Sequence, residues 1–217
     1  MQPILALDAI QFAYPGSPAP VLAGASLSLR RGERTALLGD NGSGKSTLLH
    51  IASGLIKPAG GTVAFKGSLC LTEKDFIPLR HALGYVLQHS EDQLFCPTVL
   101  EDVAFGPVNM GMREKEAAEK ARNILNRLGI AHLADRNGST LSGGQKKLAA
   151  LATVLVTEPE FLFLDEPTND LDQTARETLI LTLEKTGLPC IAISHDADFL
   201  ARLCNQSLTL ENGMILP

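Results

Sequence analysis

The chain has 217 residues, 45% hydrophobic and 20% charged, which suits one folded domain carrying a subdomain and excludes wholesale disorder. Its formal net charge is −5, with acidic and basic residues interleaved, so it offers no electrostatic footprint for a nucleic-acid backbone and nucleic acid is not expected as a partner. The longest apolar run, Leu148 to Val156, is interrupted by Thr153 and falls well short of the roughly 18–20 residues that cross a bilayer.

The opening residues Met1-Gln2-Pro3-Ile4-Leu5 lack the basic flank and small-residue cleavage site of a secretory signal, so the cytosolic side is expected. Ile4 to Phe12 and Val21 to Leu29 carry short alternating apolar runs on either side of Pro15 to Pro20, and predict antiparallel strands joined by a loop. After the turn Arg31-Gly32-Glu33, the run Thr35-Ala36-Leu37-Leu38 predicts a buried strand, followed by a glycine-rich loop and a helix to about Ser53. Gly84 to Leu87 predicts a short strand. The next several dozen residues lose strand character and predict a helical insert at about 90–157. Within it, Ala117, Ala121, Ile124, Leu125 and Leu128 fall at helical spacing over Glu114 to Leu128, and Gly129 stops the pattern. Phe161 to Leu164 and Cys190 to Ile193 are continuous apolar runs of the kind a parallel strand buried on both faces requires, with Thr174 to Thr186 as the crossover helix. One domain over residues 1–217 is expected, in which no motif occurs twice.

Cys70, Cys96, Cys190 and Cys204 are widely spaced and predict reduced, mostly buried thiols without zinc or redox pairing. The histidines, His50, His81, His89, His132 and His195, are scattered, so no transition-metal cluster is expected.

Gly39-Asp40-Asn41-Gly42-Ser43-Gly44-Lys45-Ser46-Thr47 fits the phosphate loop G-x-x-x-x-G-K-[ST] and lies between a predicted strand and a predicted helix, where that motif belongs. Its glycines permit backbone geometries in which successive N–H groups turn on an anion, helped by the positive end of the helix dipole. Lys45 is placed to reach the β- and γ-phosphates of ATP, and the Ser46 hydroxyl to coordinate Mg2+. Phe161-Leu162-Phe163-Leu164-Asp165-Glu166 is an apolar strand ending in two carboxylates, at the strand end where ligands sit in open α/β sheets. Asp165 is placed to hold Mg2+ and Glu166 to polarise the attacking water as general base; helix capping is the structural alternative. Leu141-Ser142-Gly143-Gly144-Gln145 opens a further helical stretch with a second anion-binding arrangement, although an ordinary helix-capping loop explains that segment equally well on its own. One chain thus offers a single phosphate loop, and two nucleotide sites need two chains.

In this order the motifs resemble those of ATP-binding cassette (ABC) proteins, over nearly the whole chain from about Ile4 to Leu216. The resemblance implies an α/β phosphate-loop NTPase with a RecA-like parallel-sheet core, an N-terminal antiparallel β subdomain and an inserted helical subdomain. It implies an ATPase that works as a dimer, homomeric or heteromeric, in which Ser142, Gly143, Gly144 and Gln145 reach the γ-phosphate held by the opposite subunit. Tyr14 looks like the aromatic that stacks on adenine, Gln88 like the glutamine that senses magnesium and the membrane partner, and His195 like the switch histidine. Asn169-Asp170-Leu171-Asp172 resembles the loop that crosses to the partner, with Asp172 matching its acid. Asp170 stands where small residues are common, and its extra charge is expected to weaken closure unless it faces solvent or a basic group.

Asp92-Gln93-Leu94-Phe95 and Glu101-Asp102-Val103-Ala104-Phe105-Gly106-Pro107 resemble segments of energy-coupling factor cassettes, in particular the cobalt and nickel group, as does Leu148 where many cassettes carry arginine. That likeness implies an importer ATPase at the cytoplasmic face of the membrane, bound to an integral membrane component whose helices enter near Gln88 and to a membrane subunit that captures the substrate. Many cassettes of this group have a C-terminal extension; here the sequence stops at Pro217, and dimer contacts are expected to depend more on ATP. A vitamin importer of the biotin type, another ABC transporter and a soluble ABC ATPase are the alternatives.

Overall fold

The computed structural model describes residues 2–17 and 19–216; Met1, Pro18 and Pro217, which belong to the expected chain start, the Pro15 to Pro20 loop and the chain end, lie outside the described residues. In chain order the strands are β1 (Leu5–Phe12), β2 (Leu22–Leu29), β3 (Arg34–Leu38), β4 (Gly60–Phe65), β5 (Ser68–Leu69), β6 (Leu83–Val86), β7 (Phe161–Asp165), β8 (Cys190–Ile193), β9 (Gln206–Glu211) and β10 (Met214–Leu216). The α-helices are α1 (Lys45–Ala52), α2 (Glu73–Ala82), α3 (Val99–Asn109), α4 (Glu114–Arg127), α5 (Gly143–Leu155), α6 (Gln173–Thr186) and α7 (Ala197–Leu203). They fall into two compact units, one running to Leu83 and resuming at Leu188, the other comprising Gly84–Gly187.

In the first unit, β1 and β2 pair antiparallel, as their alternation predicts, and the sheet continues in the order β2-β1-β4-β5. Periodicity does not reveal β4, which opens on two glycines beside an irregularity in β1. Ala9 there has φ of 49°, and its N–H donates to Ser26 Oγ at 2.9 Å instead of to a strand partner. A Cβ on Gly61, itself at φ of 86°, would stand 2.5 Å from the Asp8 carbonyl oxygen, so only glycine fits. The unit's other sheet has β3 hydrogen-bonded in parallel to β8 on one side and β9 on the other, with β10 beyond β9. Thr35, Ala36 and Leu37 are buried, and so is all of β8, which is why both read as unbroken apolar runs. The one polar group in that β3 run, the Thr35 hydroxyl, is hydrogen-bonded to Gln206 Nε2 at 2.7 Å.

All four thiols are free. Cys70 and Cys190 are buried, whereas Cys96 and Cys204 are only half-buried, so burial is less general than the composition suggests. The fold brings Cys190 and Cys204 together although their spacing conceals it; their mutual hydrogen bond, and then burial, raise the Cys190 pKa, whereas the same hydrogen bond lowers that of Cys204 against the opposing effect of burial.

In the second unit β6 lies beside β7, all of whose residues are buried. Helices α3, α4 and α5 pack on one another and bury Val103, Ala121, Leu125 and Leu151. The predicted span Glu114 to Leu128 agrees with α4 to within its cap, and Gly129 ends it at φ of 71°, the left-handed conformation that closes many helices. Helix α3 starts on a capping box, with the Thr98 hydroxyl accepting from Glu101 N–H and the Glu101 carboxylate accepting from Thr98 N–H. Among the described residues no helix is long and apolar enough to cross a membrane.

Gly84 in β6 leaves no room for a side chain: a Cβ there would stand 2.5 Å from Val154 Cγ1 and 2.7 Å from Leu162 Cδ2. Gly84→Ala is therefore expected to destabilise by about 1–3 kcal/mol through overpacking. For a chain of this size each kcal/mol lowers the melting temperature by about 2–4 °C. Thermal denaturation checks this, and an unchanged midpoint would mean that the side chains move aside freely.

Candidate nucleotide site

The first unit presents the phosphate loop between β3 and α1. Gly39 lies at φ of 139°, and a Cβ there would come within 2.4 Å of the Leu210 carbonyl oxygen; Gly44, at φ of 104°, would meet Val21 Cγ1 at 2.5 Å. Side chains are thus excluded from both ends of the loop, and its backbone is free to face a ligand. The intervening residues Asp40, Asn41, Gly42 and Ser43 line a cleft of about 890 Å3 together with Val21 and the β9–β10 turn. The first turn of α1 contains no acidic residue, so its positive end is not neutralised from within.

Three side chains of the phosphate loop and the first turn of α1 define what the loop accepts. Lys45 is buried and donates from Nζ to the carbonyl oxygens of Gly39 at 2.7 Å and Asp40 at 2.9 Å, which leaves one of its three N–H groups for an incoming oxygen. Ser43 Oγ is buried without a hydrogen-bond partner, a polar atom that calls for one. Ser46 follows Lys45 in the first turn of α1, half-buried, with its hydroxyl available as a hard oxygen ligand. An anion with several oxygens, accompanied by a divalent cation, fits this donor set.

Tyr14 and His195 both belong to this half. The Tyr14 ring is 45% exposed, packs edge-on against Phe12 at 4.9 Å, and its hydroxyl is 2.9 Å from Thr47 Oγ1. One hydrogen bond thus ties an open aromatic face to the helix behind the phosphate loop. His195, after β8, places Nε2 2.9 Å from Asn41 Oδ1. Asn41 therefore does more than fill the loop, a link that no sequence spacing discloses.

The second unit carries the carboxylates and the signature segment. Asp165 ends β7, and Glu166 follows at φ of 48°, a left-handed conformation unusual for glutamate; they are only 3% and 5% exposed. Tyr85, edge-on to Phe163 at 5.5 Å, has its pKa pushed up by burial and then by the Asp165 charge. Ser142 caps α5: its Oγ accepts from Gln145 N–H at 3.3 Å, and Gln145 Oε1 accepts from Ser142 N–H at 3.1 Å. The capping reading is thus correct locally. Gly143 beside it is exposed and Gly144 is buried against Ala175.

Asp172 caps α6, its Oδ1 accepting from Ala175 N–H at 2.8 Å. Asp170 is exposed at φ of 63°, in the left-handed region that Gly, Asn and Asp tolerate best, so its own conformation accounts for the residue type. Its Cβ lies 3.4 Å from where a Cβ on Gly143 would be.

Gln88 is exposed on the loop after β6. Buried Lys147, in the second turn of α5, donates to the Gln88 carbonyl oxygen at 2.5 Å and to that of Leu87 at 3.3 Å. Burial lowers its pKa, while the charges of Asp165, Asp170, Glu91 and Glu166 act to raise it. Asp102 Oδ1 accepts from the N–H groups of Phe95 at 2.9 Å and Cys96 at 2.7 Å, and its Oδ2 is buried without a partner. The Cys96 thiol is pushed up to about 11, by burial first and then by its hydrogen bond to Asp102 and the charges of Asp102 and Glu101. Sequence reasoning singles out neither Lys147 nor Asp102 as individual residues, because an isolated lysine or aspartate on a helix reads as a solvated face.

Residues 22–169 match the ABC transporter family. A putative ABC transporter ATP-binding protein of Nitratidesulfovibrio vulgaris is 51% identical over 213 residues, covering 98% of this chain and 78% of that protein. The nickel import ATP-binding protein NikO of Rhodobacter capsulatus is 42% identical over 227 residues, covering 99% of this chain and 88% of its own. The structure of cbiO1 from Clostridium perfringens, part of the ABC transporter complex cbiONQ, superposes with a TM-score of 0.84 at 36% identity, covering 100% of this chain and 88% of that one. With a phosphate loop, a carboxylate-ended strand and a signature helix in place, and with these likenesses over its whole length, the chain belongs to the ABC transporter family as an ATP-binding subunit that hydrolyses ATP.

Proposed function

We propose that this cassette powers an energy-coupling factor importer of the cobalt and nickel type, as a dimer held peripherally at the cytoplasmic face of the cell membrane. The reading takes residues 1–217 as one ABC ATPase domain with a helical subdomain inserted at about 90–157. The observation that carries it is the segment from Tyr85 to Asp102. Its characteristic polar residues, Gln93 and Asp102, are spent on fixing its own backbone, so that Phe95 is held outward, 63% exposed and edge-on to Phe105 at 5.0 Å. Beside that pair, an apolar cleft of about 420 Å3 runs along α3, lined by Leu100, Ala104, Phe105 and Val108. An amphipathic helix of a membrane component is the kind of partner such a surface accepts. The likeness to a nickel import protein and to a member of a cbiONQ complex supports the same assignment.

In this reading the backbone of Gly39 to Gly44 cradles the phosphates of ATP, Lys45 neutralises the β- and γ-oxygens, and Tyr14 stacks on the base. Ser46, Asp165 and Gln88 are the residues that would hold Mg2+, which would supply charge compensation to the phosphates. Glu166 takes a proton from the attacking water as general base, and His195 contacts the γ-phosphate from its place beside Asn41. Ser142, Gly143, Gly144 and Gln145 serve the nucleotide of the opposite subunit, with Asp172 on the crossing loop. Transport specificity in this reading resides in the membrane subunits.

Glu166→Gln keeps shape and hydrogen bonding but removes the base. Steady-state turnover of the assembled complex should fall by about 10²–10⁴-fold with ATP binding retained, and near wild-type turnover would reject the role of Glu166. Mixing Lys45→Ala chains with Ser142→Arg chains should leave one intact composite site per mixed dimer and recover trapped ATP that neither homodimer holds. Equal trapping in all three samples would sink the shared-site arrangement. The substrate is settled by uptake of radiolabelled nickel, cobalt and biotin in a deletion strain restored with active or Glu166→Gln protein. Loss and recovery of metal uptake are expected, whereas loss of biotin uptake alone would replace the metal assignment with a vitamin one.

A further inference from the structure

The loop carrying Gln88 leaves the end of β6, and side chains hold its backbone. Leu87 N–H donates to Gln93 Oε1 at 2.9 Å, and Gln93 Nε2 donates back to the Tyr85 carbonyl oxygen at 3.0 Å. Lys147 completes the set through the carbonyl oxygens of Leu87 and Gln88. This lysine is 3% exposed. Stability alone does not explain it, since burying an ammonium is costly and an apolar side chain of similar length would fill the same space without that penalty. What a methionine could not do is grip two carbonyls of one loop from the helix that Ser142 caps.

We propose that Lys147 is a positioning residue that fastens the Gln88 loop to α5, so that Gln88 and the Ser142 turn are displaced together. The proposal rests on the roles given to Gln88 and Ser142 above. A push received at Phe95 is transmitted through the Gln93 and Lys147 hydrogen bonds to two places at once. One is the glutamine that serves this chain's own nucleotide, and the other is the turn that serves the nucleotide across the dimer. Because the contact is to the backbone of residue 88, it sets where the glutamine side chain starts without consuming its amide.

The test is a double-mutant cycle in the assembled, membrane-bound complex. Lys147→Met keeps the length and removes the donors. In the Gln88 background it should lower kcat by about ten-fold or more with KM for ATP changed by less than about two-fold, the pattern of lost alignment. In a Gln88→Ala background the same substitution should cost clearly less than in the Gln88 background, because one of the two places it serves is already gone. A lysine that merely supported the fold would cost the same in both backgrounds, and that result, or no loss in either, overturns the proposal. Lys147→Gln keeps a donor without the buried charge. It should retain more turnover than the methionine variant, and if the latter does not fold it takes its place in the cycle under the same criteria. A Gln88→Ala complex with normal turnover removes the role of Gln88 itself, and the proposal with it. A harmful Gln88→Ala with additive effects refutes only the coupling.

Discussion

A polyphosphate can be held by backbone alone only where several successive N–H groups point into one space, and such a curve of chain leaves no room for side chains at its ends. Gly39 meets that demand against the Leu210 carbonyl and Gly44 against Val21. The consequences spread outward through the first unit. Residue 210 is in β9, and the close approach is possible because β9 lies directly beside β3 in parallel register. That register requires β3 to be buried between two strands, which dictates its apolar run. Tyr14 and His195 are each tied by one hydrogen bond to the loop or to the helix that follows it. The phosphate loop is thus the fixed point about which strand order, side-chain size and the flanking aromatic are arranged.

The second unit solves a different problem, the handling of charge away from water. Asp165, Glu166, Asp102 and Lys147 are all buried there. An isolated buried charge is expensive, so each must be compensated or used. Asp102 is compensated by the N–H groups of Phe95 and Cys96 and in return fixes the turn that exposes Phe95. Lys147 is compensated by two carbonyls and lies among carboxylates that oppose the effect of burial on its pKa. These costs fall in the segments proposed to meet a membrane partner and to bind the nucleotide, where a rigid backbone matters more than the last increment of stability.

The helix-end residues show how one side chain can satisfy two demands. Ser142 and Asp172 cap α5 and α6 in the usual way, and the bland structural reading of both is true. A cap must lie at the surface with its oxygen over free N–H groups, and the same geometry presents that turn to an anion from outside. Capping therefore does not argue against the proposed role across a dimer. Asp170 is similar: the left-handed backbone at this position selects for Gly, Asn or Asp, so its charge needs no electrostatic explanation.

Much of this was legible in the chain itself. The strands β1, β2, β3, β7 and β8, the helices α4 and α6, the phosphate loop, the carboxylate pair and the signature segment all rest on local periodicity or on residue types in unbroken succession. Such features survive without knowledge of what lies across the fold. The sequence by itself therefore determined the family and its chemistry. Only the tertiary structure decided the rest: that β4 joins β1 at a bulge made for Gly61, that Cys190 meets Cys204, that Asn41 faces His195, and that Lys147 grips the loop of Gln88. Each of these joins residues far apart in the chain. Whether a lysine is a solvated charge or a buried clasp depends on which backbone carbonyls the folded chain brings to it, and no run of neighbouring residues encodes that.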